Sequence, residues 1–272
     1  MATKPTLNTI WHIPDDLWKK IKPLLGTEKA LGTEGRPVVP YRVVFNGILY
    51  VLRTGCQWKH APEKFGSGST LHRRFQQWRK RGVFTRLHRI LLRQYDARRG
   101  ILWLWQALDS ASTKAPLGGQ KTGKNPTDRA KLGTKRHIVT DQRGAPLALV
   151  ISGANRHDKK LALATIDAIA VERPRVSDQD KQHLCGDKGY DFDDVREGLE
   201  ERGYTVHIPP RGVPPQSGAR KHKAKRWVVE RTHSWLNRYR RLLVRWEKND
   251  ENYAALIHFA FSIELYRLIV LG

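Results

Sequence analysis

Residues 101–110 read ILWLWQALDS, a run that is apolar but for Gln106 and that ends in an acid at Asp109. A short apolar run of this kind, bounded by polar residues and without helical spacing, reads as a core strand. Downstream, HIVTD (137–141), the turn QRG and APLALVISG (145–153) predict a strand hairpin. KKLALATIDAIAV (159–171) has helical spacing, and HLCGDKGYD (183–191) is a short strand whose end carries Asp187. A helix over 193–202, a strand at TVHIPP, a long helix in RWVVERTHSWLNRYRRLLVRW (226–246) and a closing helix over 252–271 complete the pattern. Strands alternating with helices in this order predict a mixed α/β layer.

Upstream of residue 101 the pattern is helical. Helices are expected over 14–24 and 39–53, the second ended by Gly55. In TGCQWKHAPEKFGSGSTLHRRFQQWRKRG (54–82) a short helical piece over 61–65 and a turn at 66–69 precede a basic helix over 70–81. On that helix Leu71, Phe75 and Trp78 share an inward face, which leaves Arg73, Arg74, Gln77 and Arg81 outside. The arrangement fits a helix-turn-helix, whose second helix enters the DNA major groove, and equally a helical bundle with a basic surface.

Charge points to the class of partner. Of 272 residues, 50 are Lys or Arg and 26 are Asp or Glu, a formal +24. Residues 51–100 hold 13 Lys or Arg against two acids, and residues 211–248 hold 12 against two. Both runs are interleaved with aromatics, which favours a polyanion with stacked bases over a merely solvated face. Two cysteines, Cys56 and Cys185, exclude a disulfide framework. The start, MATKPTLNTI, lacks the apolar core of a signal peptide, and the late stretch YAALIHFAFSIELYRLIVL is interrupted by His258, Glu264 and Arg267. A cytoplasmic, nucleic-acid-associated protein is expected. Long Gly-, Lys- and Pro-rich segments at 117–135 and 209–225 read as functional loops.

Three acids stand out. Asp109 and Asp187 each end an apolar run, and Glu230 lies on a helical row with Arg226, His233 and Asn237 that is polar throughout. Carboxylates gathered in a cleft repel one another unless a cation lies between them, and hard divalent cations prefer such oxygen donors. Two ions about 4 Å apart would suit in-line displacement at a phosphodiester.

The blocks LDSAS, CGDKGYD and RWVVERTHSWLNRYRRL, in this order, resemble the DDE transposases of bacterial insertion sequences, and the insertion-sequence-five family within the Tyr–Arg–Glu–Lys signature group in particular. RVVFNGILYVLRTGCQWKHAPEKFGSGSTLHRRFQQW is similar to that family's N-terminal region, and NRHDKK (155–160) fits it too. The resemblance implies an RNase H-like catalytic domain, with a mixed sheet flanked by helices, over 98–272. A small all-α, helix-turn-helix-like DNA-binding domain would occupy 1–97. It implies Asp109, Asp187 and Glu230 as catalytic metal ligands for Mg2+ or Mn2+, with two ions per site, and Arg226 as a phosphate contact. The signature Tyr and Lys fall on Lys223 and Asn237, so Arg238 or Arg241 would carry a missing phosphate contact. Lys188, Tyr190 and His233 are candidate supporting residues beside the acids. His157, His233 and Cys185 lack the spacing of a zinc site. The implied activity is metal-dependent hydrolysis and strand transfer at the element's ends, by a dimer or larger multimer on double-stranded DNA, associated with the bacterial nucleoid. A non-catalytic DNA-binding regulator derived from such an enzyme is the alternative.

Overall fold

The computed structural model describes residues 9–28, 38–177, 179–212 and 219–271, without side-chain detail at 219–225. Lys223 therefore lies outside the described side chains. The chain opens with helices α1 (Asp15–Ile21), α2 (Tyr41–Thr54), α3 (Gly68–Lys80) and α4 (Val83–Arg99). Helix α2 stops at Gly55, which takes φ +73°, a left-handed conformation that costs a glycine little. Ser67 caps α3, its hydroxyl accepting from Thr70 N at 3.2 Å. Leu71, Phe75 and Trp78 are buried as the spacing predicts. The helical piece expected over 61–65 is only a 3-10 turn, Glu63–Phe65, preceded by another at Trp58–His60. The link between α2 and α3 is thus longer than the tight turn of a strict helix-turn-helix.

The sheet follows: β1 (Trp105–Lys114), β2 (Gly123–Lys124), β3 (Leu132–Asp141), β4 (Pro146–Gly153), β5 (Gln182–Cys185) and β6 (Tyr204–His207). The antiparallel partners β1–β3–β4 lie on one side of β1, and β5 then β6 run parallel on the other. Helix α5 (Lys159–Asp167) connects β4 to β5, and α6 (Asp193–Glu201) connects β5 to β6. A central first strand, an antiparallel meander on one flank and two parallel strands with crossover helices on the other make the RNase H-like fold. Helices α7 (Ala219–Asn237) and α8 (Asp250–Leu271) finish the chain. The loop expected over 117–135 holds β2 and the start of β3, and α7 begins inside the loop expected over 209–225.

Two further elements differ from the sequence expectation. The strand from 101 does not end at Asp109: β1 starts at Trp105 and runs on to Lys114, because β3 pairs with it along that whole length. The long helix over 226–246 ends early, at Asn237. There the chain turns to seat Tyr239, whose hydroxyl donates to Glu264 at 2.8 Å and whose ring lies 4.2 Å under the Arg53 guanidinium. Burial of these groups outweighs continued helix propensity.

Helix α8 is long and apolar enough by composition to cross a membrane, yet it is the buried centre of this core. Phe259 packs on Phe45 and Phe84 at 5.0 and 5.7 Å between ring centroids. Nearby, His88 Nε2 lies 2.9 Å from Pro146 O, so it carries the proton, and His88 Nδ1 accepts from His258 Nδ1 at 3.3 Å. Burial lowers the two imidazoles to about 4 and about 3 from the usual 6.5. The unfolded chain therefore takes up protons first as pH falls below 6.5, and stability drains away toward pH 4. Thermal melts between pH 7.5 and 4.5 should show a falling Tm, and His258→Leu should flatten that slope. An unchanged slope in the variant would remove the pair as its cause.

Candidate active site

Strand β1 pairs with β5 only as far as Ala107 and Cys185, but with β3 as far as Lys114. Between Ala107 and Lys114, where Val244 pairs with β1 in turn, the β5 side of β1 has no strand partner among the described residues, and a cleft begins where β1 and β5 part. Asp109 lies two residues beyond that last pair on β1, and Asp187 two residues beyond it on β5. The parallel register therefore sets the two acids level across the opening. Asp187 stays in place by accepting from Gly189 N at 3.0 Å.

Helix α7 covers the cleft from one face. Thr232 Oγ1 donates to Gly144 O at 2.9 Å, and Arg231 Nη2 donates to Arg143 O at 2.6 Å. These bonds lock the helix onto the β3–β4 turn. That rotation puts His233 Nε2 3.9 Å from Asp109 Oδ2. It also lets Arg226 span the opening, with Nη1 3.1 Å from Asp187 Oδ2 and Nη2 3.2 Å from Glu230 Oε1. An acid at a strand end and one on a helix are thereby joined through one guanidinium, with Asp109 of β1 within its electrostatic reach.

The trio is graded in exposure: the Asp109 side chain is 22% exposed, Asp187 45% and Glu230 53%. Asp109 is the driest, and burial raises its carboxyl to about 6. The Ser110 amide and Arg226 pull it down, while Asp187 and Glu230 push it up. Asp187 and Glu230 both therefore act electrostatically on Asp109. Among the described residues, no three acid, His or Cys side chains stand close enough to hold a metal ion as they are. The cation between Asp187 and Glu230 is the guanidinium of Arg226. A donor set of hard oxygens whose like charges are already bridged by a cation fits a divalent ion in chemistry, once that guanidinium moves aside.

The remaining candidates fall into different places. His233 is buried beside Asp109, and burial with Arg136 nearby lowers it to about 3, so it is neutral at pH 7. Tyr190 is buried, its phenol pushed well above the ordinary value by burial and then by Asp158 and Asp109, which leaves no surface for direct DNA contact. Lys188 is exposed on the turn after Asp187. Arg73 and Gln77 are exposed on α3. Arg74 lies 4.8 Å over the Tyr41 ring, and Arg81 Nη1 donates to Leu25 O at 2.7 Å, so both have structural partners. Asn237 and Arg238 are exposed at the end of α7. Arg241 is buried, 2.7 Å from Glu247 and bonded to Cys56 O, and is not presented to a phosphate. His157 packs edge-on to Phe192. Asp158 and Ser110 also adjoin the cleft. The block NRHDKK was a signal for Asp158, but nothing in its spacing gave the residue a role.

Known proteins resemble this chain in sequence. The family described as "Transposase DDE domain" matches residues 106–265, and the one described as "Putative transposase of IS4/5 family" matches residues 13–88. The "Putative transposase for insertion sequence element IS402" of Burkholderia cepacia is 42% identical over 149 residues, 52% of this chain and 66% of that protein. A 16.2 kDa protein of the same insertion element is 41% identical over 118 residues, 42% of this chain and 80% of its own length. The chain thus spans just under two thirds of the first of these relatives. Among solved structures, the catalytic domain of the Mos1 mariner transposase aligns over 69% of this chain and 90% of its own, with 14% identity and a TM-score of 0.29. The match across the sheet, α7 and most of α8 decides the family: the chain belongs to the DDE transposases.

Proposed function

We propose that this chain excises and inserts a DNA element, binding the element's ends and cutting and joining phosphodiesters at the cleft of Asp109, Asp187 and Glu230. The observation that supports this reading is Arg226 bridging Asp187 and Glu230 within electrostatic reach of Asp109. In this reading Asp109, Asp187 and Glu230 hold Mg2+ or Mn2+, two ions per site. Such ions, when bound, activate the attacking oxygen and stabilise the leaving one.

The chain's own groups supply the rest. Arg226 neutralises Asp187 and Glu230 while the cleft is empty of substrate. A backbone phosphate competes for that guanidinium, and a bidentate Arg–phosphate pair frees both carboxylates for a divalent cation. His233, neutral and dry, walls off the Asp109 side without adding charge. Helix α3, with Arg73 and Gln77 outward, reads the element ends from the helical part up to residue 97. Lys188, Asn237 and Arg238 hold phosphates beside the cut. Two copies of the chain, one per end, act together on double-stranded DNA.

Three outcomes test the reading. Asp109→Ala, Asp187→Ala and Glu230→Ala should each lower Mg2+- or Mn2+-dependent nicking of the element ends by at least about 100-fold, the scale of losing one preorganised electrostatic contact to the reacting group, and gel shifts on the same ends should persist. End-specific binding without metal-dependent cleavage in the wild type would instead favour a non-catalytic regulator. A carboxyl 13C NMR titration of metal-free protein should find Asp109 near pH 6, and Arg226→Ala should move it higher, because Arg226 holds it down. A downward move would show that Arg226 does not serve the cleft electrostatically. The basic residues should divide. Arg73→Ala should weaken end binding by about 1–3 kcal/mol if it reads a base. Arg241→Ala should instead destabilise the fold by about 3–5 kcal/mol, since Glu247 is left buried without its partner. Gel shifts and denaturant melts separate the two.

A further inference from the structure

Asp158 stands where a helix cap is expected, at the residue before α5, but it does not cap. Its backbone is already helical, at φ −59° and ψ −35°, and its side chain accepts nothing from the first turn. The carboxylate turns toward the sheet instead. Oδ1 accepts from Ser110 Oγ at 2.8 Å and from Lys135 Nζ at 2.9 Å. Lys135 Nζ also donates to Arg156 O at 2.9 Å, which ties β3 to the loop that carries Asp158. The other oxygen faces the turn after β5: a Cβ on Gly189 would lie 3.8 Å from Asp158 Oδ2 and 3.9 Å from Asp187 Oδ1.

Ser110 follows Asp109 on β1, so its side chain leaves the sheet on the opposite face. One carboxylate therefore grips the strand behind Asp109 and flanks the turn that holds Asp187. Tyr190 fills the space between. Its phenol is buried with the Ser110 hydroxyl beside it, and the charges acting on it are those of Asp158, Asp109 and Asp187. Capping requires none of this.

We propose that Asp158 is a positioning residue for the cleft: through Ser110 and the Gly189 turn it fixes the spacing at which Asp109 and Asp187 share a cation. The inference rests on the metal-holding role given above to Asp109, Asp187 and Glu230. Residues behind a metal's ligands orient them, and their loss weakens affinity without removing a ligand.

The test is Mn2+ binding to the full chain, read as free Mn2+ by EPR, with circular dichroism and melting curves as fold controls. Asp158→Ala should weaken Mn2+ binding on the order of 10-fold, the lower end of the usual range for such residues, while gel shifts on element ends stay at wild-type strength. Ser110→Ala should weaken it less, and the double variant should bind no worse than Asp158→Ala alone, because both changes cut the same link. Should Asp158→Ala fail to fold, Asp158→Asn is read in its place. It keeps an acceptor for Ser110 but loses the charge facing Lys135, and it too should bind Mn2+ more weakly than wild type. Wild-type Mn2+ affinity in a folded Asp158 variant overturns the inference when Asp187→Ala and Glu230→Ala lose binding in the same assay. If those two also bind normally, the metal-site reading fails instead.

Discussion

Two acids facing one another across a half-exposed cleft repel, and in this chain the cation between them is Arg226. Its planar fork reaches Asp187 with one nitrogen and Glu230 with the other. A lysine, with a single point charge, would not bridge the pair in the same way. The sheet makes the meeting possible by ending β5 at Cys185 while β1 runs on, and α7 completes it by locking onto the β3–β4 turn. The same constraint accounts for Asp109, which is level with Asp187 but drier, and whose carboxyl is held up near 6 by burial.

The basic surplus does two kinds of work. Part of it is on the surface, at Arg73, Lys188 and Arg238. Another part is spent inside. Arg245 is fully buried, and its donors go to the carbonyls of Gln120, Lys121, Glu247 and Lys248 and to Thr134 Oγ1. A buried guanidinium with its N–H groups satisfied in this way pins the Gly- and Lys-rich loop to the entry of α8. Arg241 and Arg53 likewise serve the turn after α7, one against Glu247 and the other over Tyr239. A count of charges along the chain cannot separate these uses, because it registers neither burial nor partners.

Some of this was legible before the fold. The apolar runs ending in HIVTD and APLALVISG are the hairpin β3–β4, and the strand carrying Cys185 ends just before Asp187. Leu71, Phe75 and Trp78 are the buried face of α3. Other features left no readable mark. The length of β1 depends on β3, and the end of α7 depends on where Tyr239 is seated.

The sequence by itself determined the alternation of elements, the family and the three acid blocks, since these rest on local periodicity and on short runs of residue types. The tertiary structure alone decided which cations those acids meet, which arginines are buried, and that Asp158 turns from its helix toward Ser110. Such outcomes depend on distances between residues far apart in the chain. Those distances are set by strand register and by the rotation of α7, and neither is written in any single stretch of residues.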